Sequence, residues 1–454
     1  MLGLLDWLNR FVWGFPALFL ILSVGIVLSI KTRWAQFRLF PAAVRAFFKK
    51  PDKEEKAQGI SPFKALCTAL AATVGTGNLA GVAGAIAIGG PGSIFWMWIC
   101  GFLGMVIKFA EATLSVRYRI VAKDGNYVGG PMYIVQQGMQ KKYHYLAYIY
   151  CFFGVVAAFG VGSATQINAV LGGINGAIVA CGGQESKIVN ILIGAILSIL
   201  IMIVFLGGAK RISNAAALIV PFASVFYLAL CLGVLLLNIS EVPQALNSIL
   251  LGAFSPGAVT GGVVGSVFRT LRIGTYRGVF TNDAGMGTAG IAHSTARVSH
   301  PVHQGLMGIM EVFLDTIVIC TMTALVILCS GVSIPYGQDT GVLLTSAAFS
   351  RVYGGWVHIP LAFSLCCFAV ATIIGWGLYG VRCAQFLFGD RVWKRFAILQ
   401  AVSVMVGAIL KTDIVWSMSE TANGLMAIPN LVILCYFIPE IVRMVKSYST
   451  HSDI

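Results

Sequence analysis

The chain has 454 residues, 58% of them hydrophobic and only 11% charged, with a mean hydropathy of +0.86. Soluble globular proteins carry about 25% charged residues, so this composition excludes a soluble multi-domain enzyme and a disordered chain alike. The formal net charge of +14 raises nucleic acid as a partner, but the basic residues follow membrane topology instead.

Met1 to Trp7 carry Asp6 and no basic residue, so no cleavable leader is expected. Long apolar runs predict spans over 12–31, 62–89, 92–118, 145–171, 187–207, 212–238, 258–298 (interrupted), 302–330, 354–388, 393–410 and 414–447. The expected class is an all-α integral membrane protein with about eleven transmembrane helices. Residues 45–58 (R-A-F-F-K-K-P-D-K-E-E-K-A-Q) are the one long polar stretch and read as a cytoplasmic linker or surface helix. With the amino terminus outside, 23 of the 31 Lys and Arg fall in inside segments, four fall outside and four lie within spans. Cytoplasmic loops are the basic ones, which gives an outside amino terminus, a cytoplasmic carboxyl terminus and no call for nucleic acid. The eleven cysteines form no C-x-x-C pair and read as small core residues.

Two spans are interrupted in the middle. The second contains Ala71-Ala72-Thr73-Val74-Gly75-Thr76-Gly77-Asn78, and the seventh Thr281-Asn282-Asp283-Ala284-Gly285-Met286-Gly287-Thr288. Glycine disfavours continuous helix by up to about 1 kcal/mol per residue, and unwound backbone survives in a membrane only inside protein or along a cavity. Each stretch alone could be close helix packing. Together they open two sets of five spans that run in opposite senses, the sequence pointer to a secondary-transporter site. The expected organisation is an amino-terminal transmembrane helix and basic linker (1–59), a first five-helix repeat (60–238), a second (239–447) and a cytoplasmic tail (448–454).

Longer motifs then carry a resemblance. G-T-G-N-L-A-G-V-A-G-A-I-A-I-G-G-P-G-S-I-F-W-M-W (75–98), E-A-T-L-S-V-R-Y-R (111–119) and G-G-P-M-Y-I (129–134) resemble the alanine/glycine:cation symporters. So do R-G-V-F-T-N-D-A-G-M-G-T-A (277–289), H-P-V-H-Q-G-L (300–306) and N-G-L-M-A-I-P-N-L (423–431). The resemblance implies a LeuT-type 5+5 inverted repeat with one extra amino-terminal helix. It also implies import of alanine or glycine across the plasma (inner) membrane, coupled to sodium. A proton as coupling ion, or another neutral amino acid such as glutamine, is the alternative. A functional monomer in the lipid bilayer is expected. No G-x-x-x-x-G-K-[ST] loop and no nucleophile–base set is present, so no enzyme is expected.

A zwitterionic substrate needs partners for both charges. The N–H groups opening the second half of the second span suit a carboxylate, which nominates Gly75, Thr76, Gly77 and Asn78. Carbonyls ending the first half of the seventh span, near Phe280 and Thr281, suit an ammonium. Gln166 and Asn282 are the expected polar ligands, with interhelical hydrogen bonding as the alternative. Asp283 reads two ways, as a cap of the second half-helix or member of a structural ion pair, or as an ion or amine ligand. Trp376, one turn from Thr372, is expected to wall the pocket. By resemblance to LeuT-type transporters, sodium would take the Ala71 and Val74 carbonyls and the Thr372 hydroxyl, whereas Ala371 replaces an expected second hydroxyl. Lys108 and Glu111 are three apart and expected to pair. Glu311 and Asp315 would face the ion path, or else cap or pair with a base such as Arg277 or Arg297.

Overall fold

The computed structural model describes residues 7, 11–13, 16–49, 59–123, 125–338, 341–409 and 412–451. From residue 50 the expected linker lies outside the described residues, as does the expected tail beyond 451. Before that point the linker begins as the end of a helix, Phe40–Phe48.

The principal helices are α1 (Pro16–Lys31), α2 (Phe40–Phe48), α3 (Pro62–Thr73), α4 (Val82–Gly89), α5 (Ser93–Arg117), α6 (Tyr145–Phe159), α7 (Thr165–Ala180), α8 (Lys187–Leu206) and α9 (Gly208–Leu237). They continue as α10 (Val242–Phe254), α11 (Val267–Asn282), α12 (Thr288–His293), α13 (Pro301–Val312), α14 (Thr321–Cys329), α15 (Val342–Tyr353), α16 (His358–Phe388), α17 (Trp393–Gly407) and α18 (Thr412–His451). The hairpin β1 (Ile120–Val121) and β2 (Tyr127–Val128) pairs antiparallel beyond the end of α5.

Among the described residues eight helices are long and apolar enough to cross a membrane, nine with the α3–α4 pair, which bends by 52°. The expected seventh span is divided into α11 and the six-residue α12, and the expected tenth is the 15-residue α17. Two helices of twelve or more residues among the described ones have no counterpart among the predicted spans. These are α10, packed on α5, and α15, which contacts the Gly77–Gly81 turn and α14.

Burial separates core from periphery. The span of α5 is 72% buried and packs on α11 and α13, whereas only 17% of α8 is buried. In lipid, apolar side chains facing outward cost nothing, so α8 can be apolar all round. The amino-terminal α1 and α2 lie against α18 and α13 respectively. Among the described residues three π segments interrupt the helices: Gly77–Gly81 before α4, Gly160–Ala164 between α6 and α7, and Phe313–Cys320 between α13 and α14. Such bulges re-aim side chains, and the three here contribute Asn78, the Val161 carbonyl and Asp315 to hydrogen bonds around the helix breaks.

Candidate functional site

The first break begins where α3 loses a hydrogen bond. In a continuing helix the Gly75 amide would donate to Ala71 O; instead it donates to Asn78 Oδ1 at 2.8 Å. The Ala71 carbonyl thereby loses its helical donor, and Val74 turns to an extended conformation at ψ 102°. Thr76 Oγ1 donates to Gln166 Oε1 at 3.1 Å, while Gln166 Nε2 is anchored on Val161 O at 3.1 Å within the π segment ahead of α7. Thr372 Oγ1 bonds back to Phe368 O at 3.0 Å. It lies so close to bare Gly75 that a Cβ there would sit 2.6 Å from it.

The second break is built by diverting amides. Asp283 has φ 53°, the left-handed region that short polar side chains tolerate. Ala284 N donates to Asn282 Oδ1 at 2.9 Å, and Gly285 N and Gly287 N both donate to Glu111 Oε1 at 3.0 Å. The carbonyls of Phe280 and Thr281 therefore lose the donors a continuing helix would supply. Asn430 braces the turn, donating to Glu111 Oε1 and to Gly285 O, each at 2.8 Å. The expectation that Asp283 caps the second half-helix is corrected: that half starts at Thr288 behind Gly287, and Asp283 ends the first half instead. Its Oδ2 is buried with no hydrogen-bond partner.

One π segment joins the two breaks. Asn78 Nδ2 donates to Asp315 Oδ1 at 2.7 Å, Thr316 Oγ1 to Asp315 Oδ2 at 2.9 Å, and Asn282 Nδ2 to Thr316 Oγ1 at 3.2 Å. Gly75, Asn78, Asp315, Thr316, Asn282 and Ala284 thus form one unbroken relay from break to break. The side chains of Asn78 and Asn282 are spent on this relay. Asp315 bonds Asn78 and Thr316, a pairing with neither of the bases expected for it.

The structure brings most of the nominated residues together. Phe280 and Thr281 face the first break, since a Cβ on Gly77 would lie 3.7 Å and 3.5 Å from their side chains. Trp376 is 1% exposed, and its Cβ would sit 2.4 Å from a Cβ on Gly162, one turn before Gln166. The Lys108–Glu111 pair is corrected. Lys108 Nζ bonds Glu311 Oε1 at 2.9 Å, Glu311 Oε2 meets His293 Nε2 at 2.9 Å, and Gln304 Nε2 meets His293 Nδ1 at 2.7 Å, all fully buried. The pairing of Lys108 across α5 and α13 was invisible to an i, i+3 argument. Glu111 is drawn off because the amides of the second break outcompete a neighbour on its own helix.

The two ends of the bundle differ. At one end a cavity of about 920 Å³, lined by Gly172, Thr345, Arg351 and His358 among others, reaches down to Leu79. Thr345 Oγ1 bonds Leu79 O at 3.0 Å. At the other end the start of α3 is clipped to the chain after α12: Ile60 N donates to Thr295 O at 3.1 Å and Arg297 N to Ile60 O at 2.9 Å. Arg119 covers this clip, donating to Ser294 O at 3.2 Å and to Ala296 O, with its guanidinium 3.8 Å from the Tyr127 ring centre. Burial lowers the Arg119 pKa from its ordinary value, yet a guanidinium keeps its charge in proteins.

The family model described as "Sodium:alanine symporter family" matches residues 2–453. The chain is 39% identical to "Sodium/alanine symporter AgcS" of Methanococcus maripaludis, over 98% of this chain and 97% of the relative. It is 33% identical to "Probable sodium/glutamine symporter GlnT" of Bacillus subtilis, over 97% and 89%. Among solved structures it is similar to MhsT in complex with L-phenylalanine, with a TM-score of 0.61 at 17% identity over 84% of this chain and 90% of that one. That likeness concerns the fold, which is LeuT-type.

Proposed function

The chain belongs to the sodium:alanine symporter family of multi-pass membrane transporters, and we propose that it imports alanine or glycine on a sodium gradient by alternating access. The observation that carries this reading is the pair of broken helices. They meet at Gly77, Phe280 and Thr281 and are tied together through Asp315 and Thr316.

In this reading Gly75 and Asn78 shape the first break, and the amides of Thr76 and Gly77 take the substrate carboxylate. The Gly75 amide is held by Asn78 Oδ1, and the Asn78 amide by Gly75 O at 3.2 Å. The ammonium goes to the carbonyls of Phe280 and Thr281 and to Gln166 Oε1, with the unpartnered Asp283 Oδ2 as its counter-charge. Asn282 acts through the relay. Trp376 closes the side-chain end of the pocket against anything large. The co-transported sodium takes the Ala71 and Val74 carbonyls and the Thr372 hydroxyl, oxygen ligands of the kind unwound backbone supplies.

Electrostatics supports a cation. Glu111, Asp283, Glu311 and Asp315 are all buried, and the only buried lysine or arginine among the described residues near them is Lys108, with His293 beside it. A buried charge without a partner costs several kcal/mol, so this interior favours positive cargo. The basic segments argue for the clipped end being cytoplasmic and the 920 Å³ cavity opening outward. The amino terminus would then lie outside, and the chain would work as a monomer. Glutamine as substrate is the second reading, favoured by the similarity to GlnT.

The test is uptake of labelled alanine into proteoliposomes under an imposed sodium gradient, competed by each of the twenty amino acids and repeated with choline for sodium across a pH series. Sodium-dependent accumulation competed by glycine is the expected result. Accumulation driven by a pH gradient alone would replace sodium by the proton, and competition by glutamine alone would replace the substrate.

A further inference from the structure

A second cavity, of about 480 Å³, lies at the clipped end of the bundle, away from both breaks. Its walls come from the β1–β2 hairpin (Lys123, Asn126), the α8–α9 junction (Leu206, Lys210) and the end of α16 with the segment that follows (Arg382, Asp390, Trp393). Three bases face one acid among the described lining residues. Arg382 is only 7% exposed. Its guanidinium donates to Gln385 Oε1 at 2.9 Å and lies 5.5 Å from the Trp393 ring.

The carbonyls ending α8 would repel an anion here, but two of them are already covered. Ile203 O accepts from Arg211 Nη1 at 3.0 Å, and Phe205 O accepts from Trp393 Nε1 at 3.0 Å. What faces the cavity is therefore basic on balance, with Lys123, Lys210 and Arg382 against Asp390. Below its rim, Ile196, Ile199, Ile203 and Leu206 are spaced three, four and three apart, form one stripe on α8, and are each more than half exposed. Leu206 belongs both to that stripe and to the cavity wall. An occupant that uses both features is amphiphilic, with an anionic head and apolar tails.

We propose that this cavity binds the phosphate of an anionic glycerophospholipid, whose acyl chains lie along the exposed face of α8. Basic pockets at the cytoplasmic membrane surface take such headgroups. The seat joins the hairpin beside the Arg119 clip to the helix that carries Thr372, so an occupying lipid braces the clipped end against the core. The inference requires a membrane protein and is independent of which amino acid or ion is carried.

The experiment uses the full-length purified chain, stripped of lipid. Phosphatidylglycerol, phosphatidylcholine or soluble glycerol 3-phosphate is added, and retention is read by native mass spectrometry together with thermal unfolding. Phosphatidylglycerol is expected to be retained and to raise the unfolding temperature. The exposed double variant Lys123→Gln/Lys210→Gln should weaken its binding about 30-fold, at about fivefold for each base removed near the membrane surface. Arg382→Lys should keep binding, and Arg382→Gln should lose it. Both exposed lysines can be replaced without disturbing the core, so the test survives misfolding of the Arg382 variants. Equal retention of phosphatidylglycerol by the double variant, equal protection by phosphatidylcholine, or equal protection by glycerol 3-phosphate would each overturn the proposal. Because binding is read without transport, a failed uptake assay leaves this result unaffected.

Discussion

Replacing Asp315 separates the geometry of the breaks from the charge of the interior. In Asp315→Leu the side-chain volume is similar, but Asn78 Nδ2 loses its 2.7 Å acceptor and Thr316 Oγ1 its 2.9 Å acceptor. Each buried polar group left without its partner costs about 1–3 kcal/mol. Asn78 retains contacts to Asp315 O and Cys320 Sγ, both at 3.3 Å, so the lower half of that range applies to it. The relay is thereby weakened by about 2–5 kcal/mol, which corresponds to a loss of about 30- to 5000-fold in the population holding both breaks in register. The same substitution removes one of four buried carboxylates and relieves its desolvation. Thermal stability should consequently change far less than transport. Asp315→Asn keeps an acceptor for Asn78 and a donor for Thr316, whose hydroxyl has lone pairs for both amides. The assay is sodium-driven alanine uptake in proteoliposomes, measured beside thermal unfolding of the same preparations. The expected result is at least a 30-fold fall for Asp315→Leu and retention within about threefold for Asp315→Asn. Wild-type uptake by the Leu variant would refute the relay, and an Asn variant as impaired as Leu would show that the negative charge, not the hydrogen bonding, is what matters.

Thr372→Ala removes the one side-chain oxygen nominated for sodium and should raise the sodium concentration for half-maximal uptake about tenfold or more. An unchanged sodium dependence would dismiss that ligand set. Arg119→Ala strips the cover from the Ile60–Thr295–Arg297 clip, so hydrogen exchange at the Ile60 and Arg297 amides should quicken, while unchanged protection would mean that the main-chain bonds close this end unaided. Lys108→Met leaves Glu311 buried with His293 as its only remaining basic partner and should cost about 3–5 kcal/mol of stability. Adding Glu311→Gln should recover much of that loss in a thermal or denaturant scan, and failure of the double variant to recover would count against a charge-pair origin.

Local features were the legible ones. Apolar runs located the long helices because hydropathy is summed over many residues. Clustered glycines located the breaks because they lack side chains to support continuous helix. The residues nominated around the first break, Thr76, Gln166 and Thr372, converge in space because each is a polar group on an otherwise apolar helix, where a partner must exist. The illegible features were pairings between distant elements. Asp315 is four residues from Glu311 on the sequence, yet the π segment turns it toward Asn78 while Glu311 goes to Lys108. No helical periodicity announces that extra residue. Asn430 stood in a recognised motif without a role, because its task is set by Glu111 and Gly285, respectively 319 and 145 residues away. The shorter helices α10 and α15 escaped because neither is a full membrane crossing.

The first break also explains how ion and amino acid could be coupled without touching. One event, the turning of the Gly75 amide to Asn78 Oδ1, releases the Ala71 carbonyl proposed for the ion and leaves free the Thr76 and Gly77 amides proposed for the substrate. Whichever ligand binds first fixes this short stretch and spares the second the entropy of ordering it, about 1–2 kcal/mol for each residue's backbone. The coupling must then be reciprocal. Saturating sodium should tighten alanine binding by the same factor by which saturating alanine tightens sodium binding. For even one residue's worth of ordering that factor is about fivefold or more. Equilibrium binding measured both ways in detergent decides the point. Two factors that agree near this size support a shared break, whereas independent binding would mean that the two cargoes meet only through the larger movement of the bundle.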